Sequence, residues 1–167
     1  MIWQGGTHNG CIGIQTDYED AYKSIIRHVI HDHKATDTFF LAGIRDEVNS
    51  QLRLRYWQEV MKEEGLPCGD DRIAYGNYLE SEVVLIMENN VLKRKPLPRA
   101  IFCANDGMAA AVCDTLKTHE SSVPEDVIVT GFDGTLTAYL TKPRLTTCDS
   151  DYKGQAELII SEINRFL

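Results

Sequence analysis

Short unbroken apolar runs alternate along this chain with stretches whose apolar residues recur every three or four positions. The runs at residues 38–42, 101–103 and 127–130 show no polar alternation, as expected of strands buried on both faces of a parallel sheet. Shorter segments at 11–16, 73–75 and 145–148 read as further strands. Between them lie helical stripes: Ala21, Ile25 and Val29 flanked by Ile26 and Ile30, then Leu54, Trp57 and Met61. Val83, Val84, Met87 and Val91 form a third, and Leu158, Ile159, Ile163 and Phe166 mark a closing amphipathic helix over 152–167.

Polar punctuation fits the same division. Asp17, Glu19 and Asp20 place carboxylates where a helix dipole favours them, and Asn105-Asp106 is a capping pair at the start of another helix. Gly65-Leu66-Pro67 closes the second helix with a Gly C-cap followed by Pro. Residues 138–140 make one helical turn, and the Gly-rich residues 1–10 read as an irregular lead-in. Strands alternating with helices at this spacing predict an α/β fold. It is a Rossmann-like parallel sheet with right-handed crossovers and helices on both faces.

Composition narrows the function. The 167 residues carry a formal net charge of −8, which argues against a surface that holds a phosphate backbone. The short run Lys93-Arg94-Lys95 reads as a solvated helix end. No apolar stretch is long enough to span a membrane, and no signal pattern opens the chain. Five cysteines include no C-x-x-C pair; Cys11, Cys103 and Cys148 fall in predicted strands and Cys113 in a helix. Buried thiols in a reducing cytoplasm are expected, with no cofactor and no metal. His28, His31 and His33 cluster at a helix end, where the dipole favours a solvated cation over a metal site.

Four polar features follow four different strands: the 45–53 loop and helix start, Tyr78, Asn105-Asp106 and Asp133. Parallel strands bring them to one edge, where ligands bind in open α/β sheets. An Arg, an aromatic ring, an amide and a carboxylate suit a polyhydroxylated molecule. Each also has a purely structural reading: Asn105 as an N-cap, Asp133 as a turn residue, Tyr78 as a half-buried turn aromatic, Arg53 as a surface helix residue. Arg55 is as good a candidate as Arg53 by chemistry alone, and Asp106 reads as a structural cap of its helix.

The segments ANDGMA (from Ala104), VPEDV (from Val123), GFDG (from Gly131) and LTT (from Leu145) occur in order and at spacings that resemble the effector-binding domain of LacI/GalR-type transcription regulators. The resemblance runs from about residue 11 to the end, and implies a periplasmic binding protein-like type I lobe. In that family an Arg three residues before a Gly-aromatic pair contacts the effector. That position is Arg53, with Tyr56 in place of the Gly before Trp57. Tyr78, Asn105 and Asp133 match the family's other contact positions, Asp17 lies near its lobe crossover, and Gly134 stands where a second Asp is usual.

The resemblance further implies a small-molecule sensor, by default for a sugar or sugar derivative, that works as a cytoplasmic homodimer. DNA would be contacted only through a helix-turn-helix outside this chain. Residues 149–167 would belong to the other lobe, and most of that lobe would lie outside the chain. The same module attached to a diguanylate cyclase or histidine kinase is the alternative, with a transporter's solute-binding protein behind it. Asp133-Gly134-Thr135 is also similar to the motif of haloacid-dehalogenase-type phosphatases, but the nucleophilic Asp that chemistry needs falls at Gly131. No nucleophile-base-orienter set can be assembled, so an enzyme is not expected.

Overall fold

Five strands align as one parallel sheet in the computed structural model, which describes residues 2–4, 12–14 and 16–166. Contacts divide the chain into two units, Glu19–Asp149 and a smaller one made of Met1–Tyr18 with Ser150–Leu167. The larger unit contains α1 (Glu19–His31), β3 (Thr38–Ala42), α2 (Val48–Glu63), β4 (Ile73–Tyr75), α3 (Glu80–Ile86), β5 (Ala100–Cys103), α4 (Asp106–Thr118), β6 (Ile128–Asp133), α5 (Leu136–Leu140) and β7 (Thr146–Asp149). Its strand order is β4-β3-β5-β6-β7, every neighbouring pair parallel. β3 and β5 are buried at every position, as the unbroken apolar runs require.

Alternate residues of each strand feed the two faces. Phe39, Leu41, Ile101, Cys103 and Val129 pack with Val83, Met87, Val112 and Leu116 of the α3 and α4 side. Phe40 and Phe132 point the other way, towards Trp57 of α2 at 5.4 Å and Tyr22 of α1 at 5.1 Å between ring centroids. Helices thus cover both faces, as the alternation predicts.

Four local expectations need correction. The α1 stripe is Tyr22, Ile26, Val29 and Ile30, while Ala21 is exposed, because the large Tyr22 ring takes the place under the sheet. Val84 is 38% exposed; α3 continues through a π-helical turn, Met87–Val91, which keeps Val83, Met87 and Val91 on the core side. β6 runs on to Asp133, so that residue ends a strand instead of sitting in the turn. The Gly-rich start contains a strand, β1 (Ile2–Gln4), paired in parallel with β2 (Ile12–Ile14). Cys11 lies outside the described residues.

In the smaller unit, α6 (Tyr152–Phe166) contacts β2, and Gln155 donates to Thr16 Oγ1 at 2.8 Å and to the Ser150 carbonyl at 2.6 Å. Leu158 and Ile163, expected to face a core, are 48% and 45% exposed. A two-stranded sheet is too small to cover the whole apolar stripe of a 15-residue helix. Phe166's side chain is outside the described residues. Among the described residues no helix is long and apolar enough to cross a membrane.

Candidate functional site

The strand order second-first-third-fourth-fifth sends the chain in opposite directions from β3, and the crevice outside the carboxyl ends of β3 and β5 is the topological switch point. All four polar features anticipated from the sequence leave strands at that edge. Side chains then decide which residues meet there.

Arg53 does. It is 8% exposed on α2, and its Nη1 donates to the Ala104 carbonyl at 2.5 Å while Nη2 donates to Asp133 Oδ1 at 3.0 Å. Its guanidinium carbon sits 3.8 Å from the centroid of the Phe132 ring. A buried cation is tolerated when it is paired, hydrogen-bonded and stacked in this way. Arg55 instead points outward, with a 56% exposed side chain pairing Glu59 at 3.5 Å. Of the two arginines, the direction of the helix face brings Arg53 to the edge and turns Arg55 to solvent.

Asp133 has a φ of +103°, a strained value for a residue with a Cβ. Next to it Gly134 has φ +68°, and a Cβ there would lie 3.0 Å from the Asp149 Cα. That crowding accounts for glycine where a second Asp is usual.

Tyr78 also takes a left-handed conformation, φ +59°, which swings its ring across Gly43; a Cβ on Gly43 would sit 2.1 Å from the Tyr78 Cζ. Its hydroxyl donates to Glu47 Oε2 at 2.9 Å. Glu47 is the N-cap of α2 and accepts from the backbone N–H groups of Asn49 at 2.9 Å and Ser50 at 2.6 Å. Burial opposes its charge, but those two amides, the Tyr78 hydroxyl and the Arg53 cation outweigh it and hold the carboxyl below the ordinary range. Burial, reinforced by Glu47, pushes the Tyr78 phenol well above its ordinary value, so the hydroxyl stays protonated and donating. Sequence reasoning passed over Glu47 as part of a polar loop. An acid one residue before a helix start was the signal that could have found it.

Asn105 is the N-cap of α4: its Oδ1 accepts from the Met108 N–H at 2.8 Å, while its Nδ2 makes no hydrogen bond among the described residues. Asp106 does not cap. At 1% exposure it accepts from the Thr135 N–H at 2.7 Å, the Thr135 hydroxyl at 2.9 Å and the Thr147 hydroxyl at 2.6 Å, tying α4 to the ends of β6 and β7. It packs so closely that a Cβ at Gly131 would lie 2.3 Å from its Oδ1. An Asp at position 131, where the phosphatase motif has its nucleophile, would have no room beside Asp106. Asp17 lies in the smaller unit.

The family described as the periplasmic binding protein-like domain matches residues 27–166. The chain belongs to this family. The HTH-type transcriptional repressor PurR of Vibrio parahaemolyticus serotype O3:K6 (strain RIMD 2210633) is 32% identical over 116 residues, 70% of this chain and 34% of that protein. Catabolite control protein A of Priestia megaterium is 26% identical over 134 residues, 80% of this chain and 40% of that protein. The structure of the transcriptional regulator CelR in complex with cellobiose superposes with a TM-score of 0.81 at 23% identity, covering 99% of this chain and 53% of the other. These relatives are LacI-family regulators, as the four motifs imply, and the match falls on the effector-binding part. The chain spans about a third of the length of the first curated relatives it matches.

In this periplasmic binding protein-like unit the thiols near the edge are inert. Burial pushes Cys148 up to about 11, only partly offset by Arg53, and it raises Cys103 well above its ordinary value. What the edge offers is hydrogen bonding: carboxylate oxygens of Glu47 and Asp133, the phenol oxygen of Tyr78, and the amide of Asn105. These groups can hold a small polar molecule by hydrogen bonds.

Proposed function

We propose that this edge binds a small polyhydroxylated effector, a sugar or sugar derivative, and that the chain is the sensing portion of a LacI-type transcription regulator. The observation that carries the reading is the convergence of Arg53, Asp133 and Tyr78–Glu47 on the switch point, with backbone strain at Asp133 and Tyr78. Strain of that kind persists at ligand sites because the surrounding structure over-determines it. The CelR relative, solved with cellobiose on the same fold, supports a sugar.

Effector binding would shift an equilibrium between two arrangements of the regulator and so alter its DNA contact, made by a helix-turn-helix in the whole protein. The regulator works in the cytoplasm as a homodimer, and the site binds without catalysing.

A thermal-shift screen of the full-length protein against monosaccharides, disaccharides and nucleobases tests this. A ligand that binds the native state raises the melting temperature by mass action. The reading expects a rise with a sugar that is lost in Asp133→Ala. No rise with any candidate in a folded sample contradicts it.

A further inference from the structure

The charge balance of the edge carries a second step, which rests on the binding reading above. Arg53 brings a cation to this edge, and it is engaged by Asp133 and the Ala104 carbonyl with its face against Phe132. The other arginine nearby, Arg45, lies over the Tyr75 ring of the edge strand β4 at 4.0 Å. Against them stand Glu47 and Asp133, with Asp106 and Asp149 at the ends of α4 and β7. Arg53, Asp133, Asp106 and Asp149 are close enough together that all four fields act on the single thiol of Cys148.

Hydrogen-bond polarity points the same way. Tyr78 spends its proton on Glu47, which leaves lone pairs of its oxygen as acceptors, with the Ser50 side chain beside them. Asn105 uses its oxygen for the helix cap, which leaves its amide nitrogen as the donor. Acceptors therefore outnumber donors, and the formal charge of Arg53, Asp133 and Glu47 together is negative. A phosphate or carboxylate entering here would meet two carboxylates and a guanidinium already committed to one of them. Hydroxyls would find acceptors, and an ammonium group would find them with a favourable field.

We infer that the site selects a donor-rich ligand, an uncharged polyol or its amine-bearing form, and rejects phosphorylated and carboxylated ones, with the Tyr78–Glu47 pair as the specificity device. The relevant comparison is among matched derivatives of one ring, since ring shape then cancels.

The test uses the full-length protein and calorimetric titration with glucose, galactose and ribose, each beside its phosphate and its carboxylate, and the hexoses also beside their 2-amino forms. The expected result is binding by at least one neutral or amino sugar, with its anionic counterparts weaker by roughly tenfold or more. In Glu47→Gln the amide oxygen, placed as Oε2, can still accept from the Ser50 N–H and from Tyr78, while the acceptor for the Asn49 N–H is lost. The anionic counterpart should recover by roughly tenfold relative to the neutral one. Tyr78→Phe should weaken neutral and amino sugars while the discrimination against anions, carried by Glu47, persists. A merely structural role for Glu47 would move neutral and anionic ligands together. An anionic derivative that binds as tightly as its neutral parent overturns the charge inference and leaves the sensor reading intact. Failure of every compound to bind a folded sample overturns both.

Discussion

The two faces of the sheet are built for different ends. Under α3 and α4 lies an apolar cluster, with Val83, Met87, Val112 and Leu116 closing over Phe39, Leu41 and Ile101, while α4 buries Asp106 and Thr115 as well. Under α1 and α2 the same strands bury Phe40, Trp57 and Phe132, but also Thr38, Ser50, Thr130 and the guanidinium of Arg53. A face that only had to be stable would not place a cation there, since a well-packed apolar side chain does as well or better. The α2 face gives up some packing to carry Arg53 to the edge, whereas the α3/α4 face holds the unit together.

Substitutions that separate stability from binding sharpen that contrast. The largest stability loss is expected on the apolar face. Leu116→Ala, at a fully buried position, should lower the unfolding free energy by about 2–5 kcal/mol in urea titration, while effector affinity of the folded fraction stays unchanged. Asp106→Ala comes next. Removing an acceptor of three hydrogen bonds strands the Thr135 and Thr147 donors and should cost about 1–3 kcal/mol by the same measurement.

Arg53→Met reverses the pattern. The apolar chain fills the slot over Phe132, and Asp133, with a 20% exposed side chain, can turn to water, so stability should fall by only about 1 kcal/mol. Effector-dependent thermal shift should disappear. Equal loss of stability in Leu116→Ala and Arg53→Met would erase the distinction between the faces.

Glu47 gives the smallest effect. Its folded-state pKa lies below the ordinary value of 4.5, so its contribution is fully present above that pH and is lost as pH falls through the depressed value. Wild type should therefore exceed Glu47→Gln in stability at neutral pH, and the gap should close as acid is added below about pH 4.5. Denaturation curves of the pair across that range check the sign.

Much of the fold was legible because burial on both faces leaves its mark as unbroken apolar runs. Residues 38–42 and 101–103 are instances, observed as β3 and β5. Gly65 could be read as a helix stop and indeed has φ +67°, with Leu66 and Gly65 N–H groups returning to the Met61 and Lys62 carbonyls. Local caps such as Asn105 were legible for the same reason, since donor and acceptor are three residues apart.

What depends on distant partners was not. Asp106 looks like a cap until Thr135 and Thr147, 29 and 41 residues away, are brought beside it. Glu47 acquires a role only when Tyr78, 31 residues on, swings over Gly43. Which of Arg53 and Arg55 reaches the edge depends on which side of α2 meets β6, and apolar periodicity locates a face without saying which polar group crosses it.

Deuterium uptake of the full-length protein, with and without the sugar that gives the largest thermal shift, tests the central claim most directly. The account predicts that ligand slows exchange in the segments after β3, β4, β5 and β6, around residues 43–53, 76–80, 104–109 and 131–136. Slowed exchange confined to other segments, with these four unchanged, would contradict it.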